Sequence, residues 1–433
     1  MRSHYARVLF GVVTFSLSSL FWATEPALAA ADLPFASACP AEITVPADCY
    51  AGKDPQGAFY QIAIPRDWNH VLVMHAHGGP AQAGPPKASR SEEDLRRWAL
   101  IPNMGFAWAG SSYRRGGYGV TMAAQDTERL RQIFVDRFGQ PRRTLLHGQS
   151  YGGGVAAKAA EIYATVDGQR GPYDGVLLTS GVLGGGVIAY QFRADLRTAY
   201  QQICHNHPLP EEPQYPLWTG LPANSSLTRA ELARRVRECT GVGMPTQDRS
   251  DRQKANLAAI ASAARINPEA LLDHLNWATW LFQDLVQAQL GGRNPFGPRP
   301  DALAVAQLEQ DSAPDGHVNV PVLTAHAIDD PTAFVELESV YKTALDKAGN
   351  SGLLVQTFTD EHVHSYFNDT EYAALITSLL DWVDHGIKPT ARSVAARCAG
   401  LESRFASNCL FLPDYQVLPL AERAAVQKPL RGD

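Results

Sequence analysis

Gly148-Gln149-Ser150-Tyr151-Gly152 sets a serine in the pattern G-x-S-x-G, after the apolar run Thr144-Leu145-Leu146-His147 and before a small-residue run opening Gly153-Gly154. A strand followed by a tight turn and a helix is the context a serine nucleophile needs. The turn must be so sharp that a Cβ at either flanking glycine would collide with its neighbours, and Ser150 then points outward. A phosphate-binding turn would require G-x-G-x-x-G or a lysine after the glycine, and neither is present.

A serine hydroxyl attacks only when a base takes its proton, and the oxyanion it creates needs donors already in place. The apolar run Val71 to His75 leads into His77-Gly78-Gly79-Pro80, a turn whose backbone N–H groups can face a reacting oxygen. Gly79 is the candidate for one donor and Tyr151, directly after the nucleophile, for the other. For the acid, His326-Ala327-Ile328-Asp329-Asp330-Pro331 sets two carboxylates just past another strand. Asp330 is favoured, although it could instead cap a helix started by Pro331 and leave Asp329 for catalysis. For the base, Glu361-His362-Val363-His364-Ser365-Tyr366-Phe367 follows the last strand; His364 is favoured over His362.

The elements that must hold these groups read as a parallel α/β pattern from Ile62 to Ser180, in which short apolar runs alternate with helical periodicity. Strands are expected at Ile62 to Ile64, Val71 to His75, Phe106 to Ala109, Thr144 to His147, Val176 to Thr179, Val320 to Ala325 and Leu353 to Phe358. Helices are expected near Ser91 to Trp98, Thr121 to Phe138, Gly153 to Ala164, Ala333 to Ala348 and Glu371 to His385. Between Gly181 and Gly316 the pattern changes to Pro-rich loops and helical runs at Arg229 to Cys239, Gln253 to Ala264 and Pro268 to Gln289. The chain thus divides into 1–29, a first core part 30–180, a helical insertion 181–316 placed as a lid, a second core part 317–390, and a tail 391–433 of weak structure ending Arg431-Gly432-Asp433. The aromatic run Trp277 to Phe282 reads either as pocket lining or as core packing.

The strand and HGGP turn, the GQSYGG elbow, the late Asp-Asp-Pro and the histidine before Phe367 together resemble the α/β-hydrolase superfamily of serine hydrolases, over most of the chain past residue 29. The chain order Ser150, Asp330, His364 is similar to that superfamily's order. The resemblance implies an α/β-hydrolase fold: a mostly parallel sheet with helices on both faces and a mainly helical lid. It also implies acyl transfer to water by a Ser150, His364, Asp330 triad, with no cofactor. Serine at the elbow sets the chain apart from the branches that use Asp there, the haloalkane dehalogenases and epoxide hydrolases. The HGGP turn is similar to the proline-iminopeptidase branch, except that Ala81-Gln82-Ala83 follows it. The segment Ser112-Tyr113-Arg114-Arg115-Gly116-Gly117 resembles one in some bacterial secreted members.

Arg2 and Arg7, the apolar run Val8 to Trp22 and the small residues Ala27-Leu28-Ala29 are the pattern of a secretory signal peptide, too short for a membrane anchor. Export places the protein outside the cell or in the periplasm, away from the membrane once the signal is cleaved. There the 6 cysteines form disulfides, with local pairs Cys39/Cys49, Cys204/Cys239 and Cys398/Cys409 or else a bridge between the termini. With 45% hydrophobic and 19% charged residues in 433, the chain can bury a core. Its net charge of −6 without basic blocks excludes nucleic acid as a partner. The pairs His75/His77, His205/His207 and His362/His364 lack the further ligands of a zinc site, so no metal is expected.

The expected activity is hydrolysis of carboxylic esters, small or oligomeric. The alternative is an exported aminopeptidase cleaving amide bonds, which would need a carboxylate pair such as Glu211-Glu212 to hold an ammonium group. A binding protein on a hydrolase scaffold would not need Ser150, Asp330 and His364 together.

Overall fold

The computed structural model describes residues 32–79, 84–217, 221–222, 224–281, 301–364 and 366–424. Segment 1–29, expected to be a signal peptide, lies outside the described residues, as do Pro80 to Ala83, Phe282 to Gln289, Ser365 and the terminal Arg431-Gly432-Asp433.

The sheet comprises β1 (Asp32–Ser37), β2 (Ala47–Lys53), β3 (Phe59–Pro65), β4 (Val71–Ala76), β5 (Ala107–Ser111), β6 (Arg143–Gln149), β7 (Gly175–Thr179), β8 (Val322–Ala327) and β9 (Leu354–Thr359). In space the order is β1-β2-β3-β5-β4-β6-β7-β8-β9. The run from β5 to β9 is parallel, while β1, β2, β3 and β5 pair antiparallel. The central strands are mostly apolar and largely buried because both faces are covered, and Val71 to Ala76 is buried at every position, His75 included.

Two hydrophobic cores, one on each face, account for that burial. On one face α2 (Val120–Phe138) and α3 (Tyr151–Ile162) cover Leu72, Met74, Leu146 and Val176, with Tyr341 and Leu345 of α9 (Leu337–Lys347). On the other, α1 (Ala88–Arg97), α10 (Asp369–His385) and α11 (Ala391–Ala399) cover Val71, Val73, Leu145, Leu177 and Leu323. The tail expected to be weakly structured is thus part of a core. Thr390 opens α11 with a capping box, and Val394 and Cys398 are fully buried beneath it.

The insertion has its own core. Leu196 and Tyr200 of α4 (Gly185–Cys204) meet Leu232 and Val236 of α5 (Arg229–Thr240), Leu257 and Ile260 of α6 (Asp251–Ala264), and Leu271 and Leu275 of α7 (Leu271–Asn276). The bridge Cys204–Cys239 ties α4 to α5; the other two join Cys39 to Cys49 and Cys398 to Cys409, all three being the local pairs. A last helix, α8 (Ala302–Ser312), returns the chain to the sheet: Asp311 accepts the N–H groups of Val120 and Thr121, capping α2. Among the described residues no helix is long and apolar enough to cross a membrane.

Candidate active site

β4 and β6 are neighbours in register, Ala76 opposite Gly148, yet β4 continues outward to β5 and β6 to β7. The chain therefore reverses its direction across the sheet between them, the place where open α/β sheets bind ligands past their carboxyl ends. His77 to Gly79 follow the end of β4 there, and Ser150 follows the end of β6.

Ser150 is the one residue between β6 and α3, with φ 59° and ψ −125°. A side chain rarely adopts such a backbone, at a cost on the order of 1 kcal/mol, and it persists only where neighbours dictate it. Here the Ser150 N–H donates to the Thr179 carbonyl at 3.0 Å, and its own carbonyl accepts from Gly153 and Val182, each at 2.9 Å. The flanking glycines are required by close approach: a Cβ on Gly148 would lie 2.0 Å from the Gly152 carbonyl oxygen, and one on Gly152 would lie 2.0 Å from that of Ala76.

The hydroxyl so presented lies 2.7 Å from Nε2 of His364, whose Nδ1 is 2.8 Å from both carboxylate oxygens of Asp330. Asp330 also accepts the backbone N–H groups of Thr332 (2.7 Å) and Ala333 (2.8 Å). It therefore caps the turn after Pro331 and receives His364 with the same carboxylate, and no helix begins until Leu337. Burial alone would raise the Asp330 carboxyl. The charge and hydrogen bond of His364, the nearby His326 and the Thr332 N–H outweigh it and hold the group below the usual carboxylate range. An ionised Asp330 can only accept, so Nδ1 of His364 donates to it and Nε2 is the ring nitrogen that faces the Ser150 hydroxyl.

The alternative acid and base are paired with each other instead. His362 Nδ1 lies 2.7 Å from Asp329, with the two side chains 68% and 42% exposed. Tyr151 is the first residue of α3, so its N–H has no acceptor within the helix and stands at the positive end of the helix dipole. Gly79, at φ +59°, has open space where a Cβ would be.

Two neighbours of the site stand inside the quoted motifs with no role assigned to them from the sequence. Gln149 Nε2 donates to the His364 carbonyl at 3.2 Å, bracing that residue from inside the elbow motif. His326, four residues before Asp330, is fully buried, with Nδ1 3.2 Å from Glu338 and Nε2 2.9 Å from the Ala333 carbonyl. Burial would lower its pKa, yet the carboxylates of Glu338 and Asp330 leave it raised. A histidine and an acid four apart across a strand end was the legible trace.

Of the aromatic run, Trp280 packs on the core of the insertion, while Trp277 lies under the Arg193 guanidinium, which donates to the Thr332 carbonyl beside Asp330. Glu212 is engaged by Arg235 through both oxygens, at 2.6 and 2.9 Å. Buried His207 sits 3.1 Å from the Thr279 hydroxyl. Among the described residues no three His, Cys, Asp or Glu are grouped to hold a metal ion.

No protein-family model and no curated protein matches the sequence. Solved structures similar to this chain include an esterase from Aspergillus oryzae, 13% identical with a TM-score of 0.46, covering 79% of this chain and 81% of that one. Tannin acyl hydrolase from Aspergillus niger is 12% identical with a TM-score of 0.46, covering 83% and 84%. The rice cell wall degrading esterase LipA from Xanthomonas oryzae is 16% identical with a TM-score of 0.38, covering 72% and 81%. Strands β2 to β9 run in the order β2-β3-β5-β4-β6-β7-β8-β9, with a strained serine at the turn after the central strand β6. That arrangement is the α/β-hydrolase fold, and it is the fold of this chain.

Proposed function

We propose that this protein is a serine hydrolase of carboxylic esters. The observation that supports the reading is the continuous hydrogen-bonded line from Ser150 Oγ through the His364 ring to buried Asp330. In the proposed reaction His364 Nε2 takes the Ser150 proton as Oγ attacks the ester carbonyl, and Asp330 stabilises the imidazolium that forms. The N–H groups of Gly79 and Tyr151 face the oxyanion, and His364 then returns the proton to the departing alcohol. A water deprotonated by His364 resolves the acyl-enzyme and releases the acid.

The aminopeptidase alternative is disfavoured because Glu212, which would have to hold a substrate ammonium, is already bound to Arg235. Three disulfides suit an oxidising compartment, in keeping with a secreted or periplasmic site of action. The insertion, whose Arg193 reaches the loop of Asp330, is proposed as the lid that selects the ester.

The test pairs p-nitrophenyl esters with aminoacyl p-nitroanilides and labels the enzyme with a fluorophosphonate. Ester turnover and a label on Ser150, both lost in Ser150→Ala, are expected. Near wild-type turnover by a folded Ser150→Ala would overturn the mechanism.

A further inference from the structure

The turn that carries Gly79 is held by groups that play no part in the line from Ser150 to Asp330. Its first residue, His77, is buried, and its Nδ1 makes a short hydrogen bond to Oδ2 of Asp94 on α1. The same oxygen lies 3.4 Å from Nε2 of His75, whose Nδ1 is 3.0 Å from Nδ1 of His147. All four of these side chains are buried.

The main chain of His77 is gripped from the other side. The Tyr113 hydroxyl donates to the His77 carbonyl at 2.9 Å. Tyr113 itself sits at φ +59°. Its N–H donates to Ser111 Oγ at 3.1 Å, and the next N–H, of Arg114, donates to Asp126 at 2.7 Å. Further along, the Gly116 N–H donates to the Gly84 carbonyl at 2.8 Å. The segment Ser112 to Gly117 therefore clamps the stretch after β4 near both its ends, while Asp94 clamps the ring.

Burying a carboxylate and three imidazoles costs free energy unless the charges and protons are shared. For Asp94 burial alone would raise the carboxyl, but His77 and His75 hold it well below the usual range. An ionised Asp94 lies next to the turn, and its partner is the residue two before Gly79. An oxyanion donor is useful only if it already points where the charge will appear.

We propose that Asp94 is a positioning residue for the oxyanion turn: through His77, and together with the Tyr113 hydroxyl, it fixes the direction of the Gly79 N–H without touching substrate. The inference rests on the serine-hydrolase reading. Its consequence is specific, because the charge on the oxyanion exists in the transition state and not in the bound ester. A loosened turn therefore lowers kcat and leaves KM in place.

The experiment uses the purified full chain with Asp94→Asn, which keeps shape and removes charge, and Tyr113→Phe, which removes one hydroxyl. Active sites are titrated with a fluorophosphonate so that misfolded protein is not counted. The expected result is a fall in kcat per titrated site of about 10- to 100-fold in each variant, with KM within about twofold. Affinity for an alkyl boronic acid, which forms a tetrahedral adduct on Ser150 Oγ, should weaken by a similar factor, and affinity for the product alcohol should not change.

A merely structural Asp94 would reduce the number of titrated sites at unchanged kcat per site, and that result overturns the inference. So does a loss confined to KM. Should Asp94→Asn not fold, wild-type kcat per site in Tyr113→Phe overturns it equally. Ester turnover surviving in Ser150→Ala separates the two failures, since it removes the serine-hydrolase reading itself.

Discussion

His362 and Asp329 meet in solvent at 2.7 Å, two positions and one position along the chain from His364 and Asp330, which meet at 2.8 Å under cover. The turn after β8 and the loop after β9 thus form two acid–base pairs side by side. The exposed pair raises the pKa of His362 through the hydrogen bond and charge of Asp329. Only the buried pair includes the histidine that reaches Ser150.

The pairs should separate cleanly in kinetics. Asp330→Asn and His364→Ala are each expected to lower kcat by about 10³-fold or more, whereas Asp329→Asn and His362→Ala should stay within a few-fold of wild type. Steady-state turnover of one ester by the four variants checks this, and the reverse ranking would exchange the roles.

Strain at the elbow should be visible as stability. Ser150→Gly is expected to lose on the order of 10⁶ in turnover while gaining roughly 0.5–1 kcal/mol, because glycine adopts φ 59° without penalty. Thermal unfolding of Ser150→Gly beside Ser150→Ala measures it; a lower Tm for the glycine variant contradicts the argument.

Glu371 makes stability depend on pH. Its Oε1 accepts from Thr359 Oγ1 at 2.7 Å and from the Leu410 N–H, while Oε2 has no partner, and burial pushes the group up to about 7. A carboxyl raised in the folded state stabilises most when it is protonated in both states. Its contribution therefore falls as pH rises from the unfolded value near 4.5 to about 7. Glu371→Gln, which mimics the protonated acid, should remove a few kcal/mol of that decline and exceed wild type in Tm above pH 7. Parallel Tm-against-pH curves for the two proteins would contradict it.

Reduction should act first on the insertion. Cys204 and Cys239 are 35 residues apart, and closing a loop of that size stabilises by about 3 to 4 kcal/mol in the chain-entropy view. Cys204→Ser with Cys239→Ser is expected to raise KM for bulky esters and to leave an acetyl ester little changed. An unaltered ranking of esters would show that the insertion does not select them.

The parallel strands were legible because each is a mostly apolar and largely buried run, and Ser150 because its motif lies at a strand-to-helix junction. β1 and β2 were not: in β2, Asp48, Gly52 and Lys53 interrupt the apolar pattern, and strands at the margin of the sheet need no continuous run. Helix α4 was hidden by its opening Gly184-Gly185-Gly186, which reads as a loop. There a Cβ on Gly186 would come within 2.9 Å of the Tyr118 ring, so packing and not propensity explains the glycine. Asp94 and Tyr113 were illegible as partners of His77 because they lie 17 and 36 residues away in sequence and meet it only through the fold.

The hydrogen bonds of Asp311 to the first turn of α2, and of Ser312 Oγ to the Gly186 N–H, set limits on how this molecule can be rebuilt. A cassette cut at the points where the sheet pattern stops and resumes would carry α8 away and strip α2 of its cap. Grafting a foreign helical module should instead splice after Ala194 and before Asp301, so that Ala189 and Tyr190 stay in the sheet core and the borrowed helices arrive on a scaffold whose Ser150-bearing half remains intact.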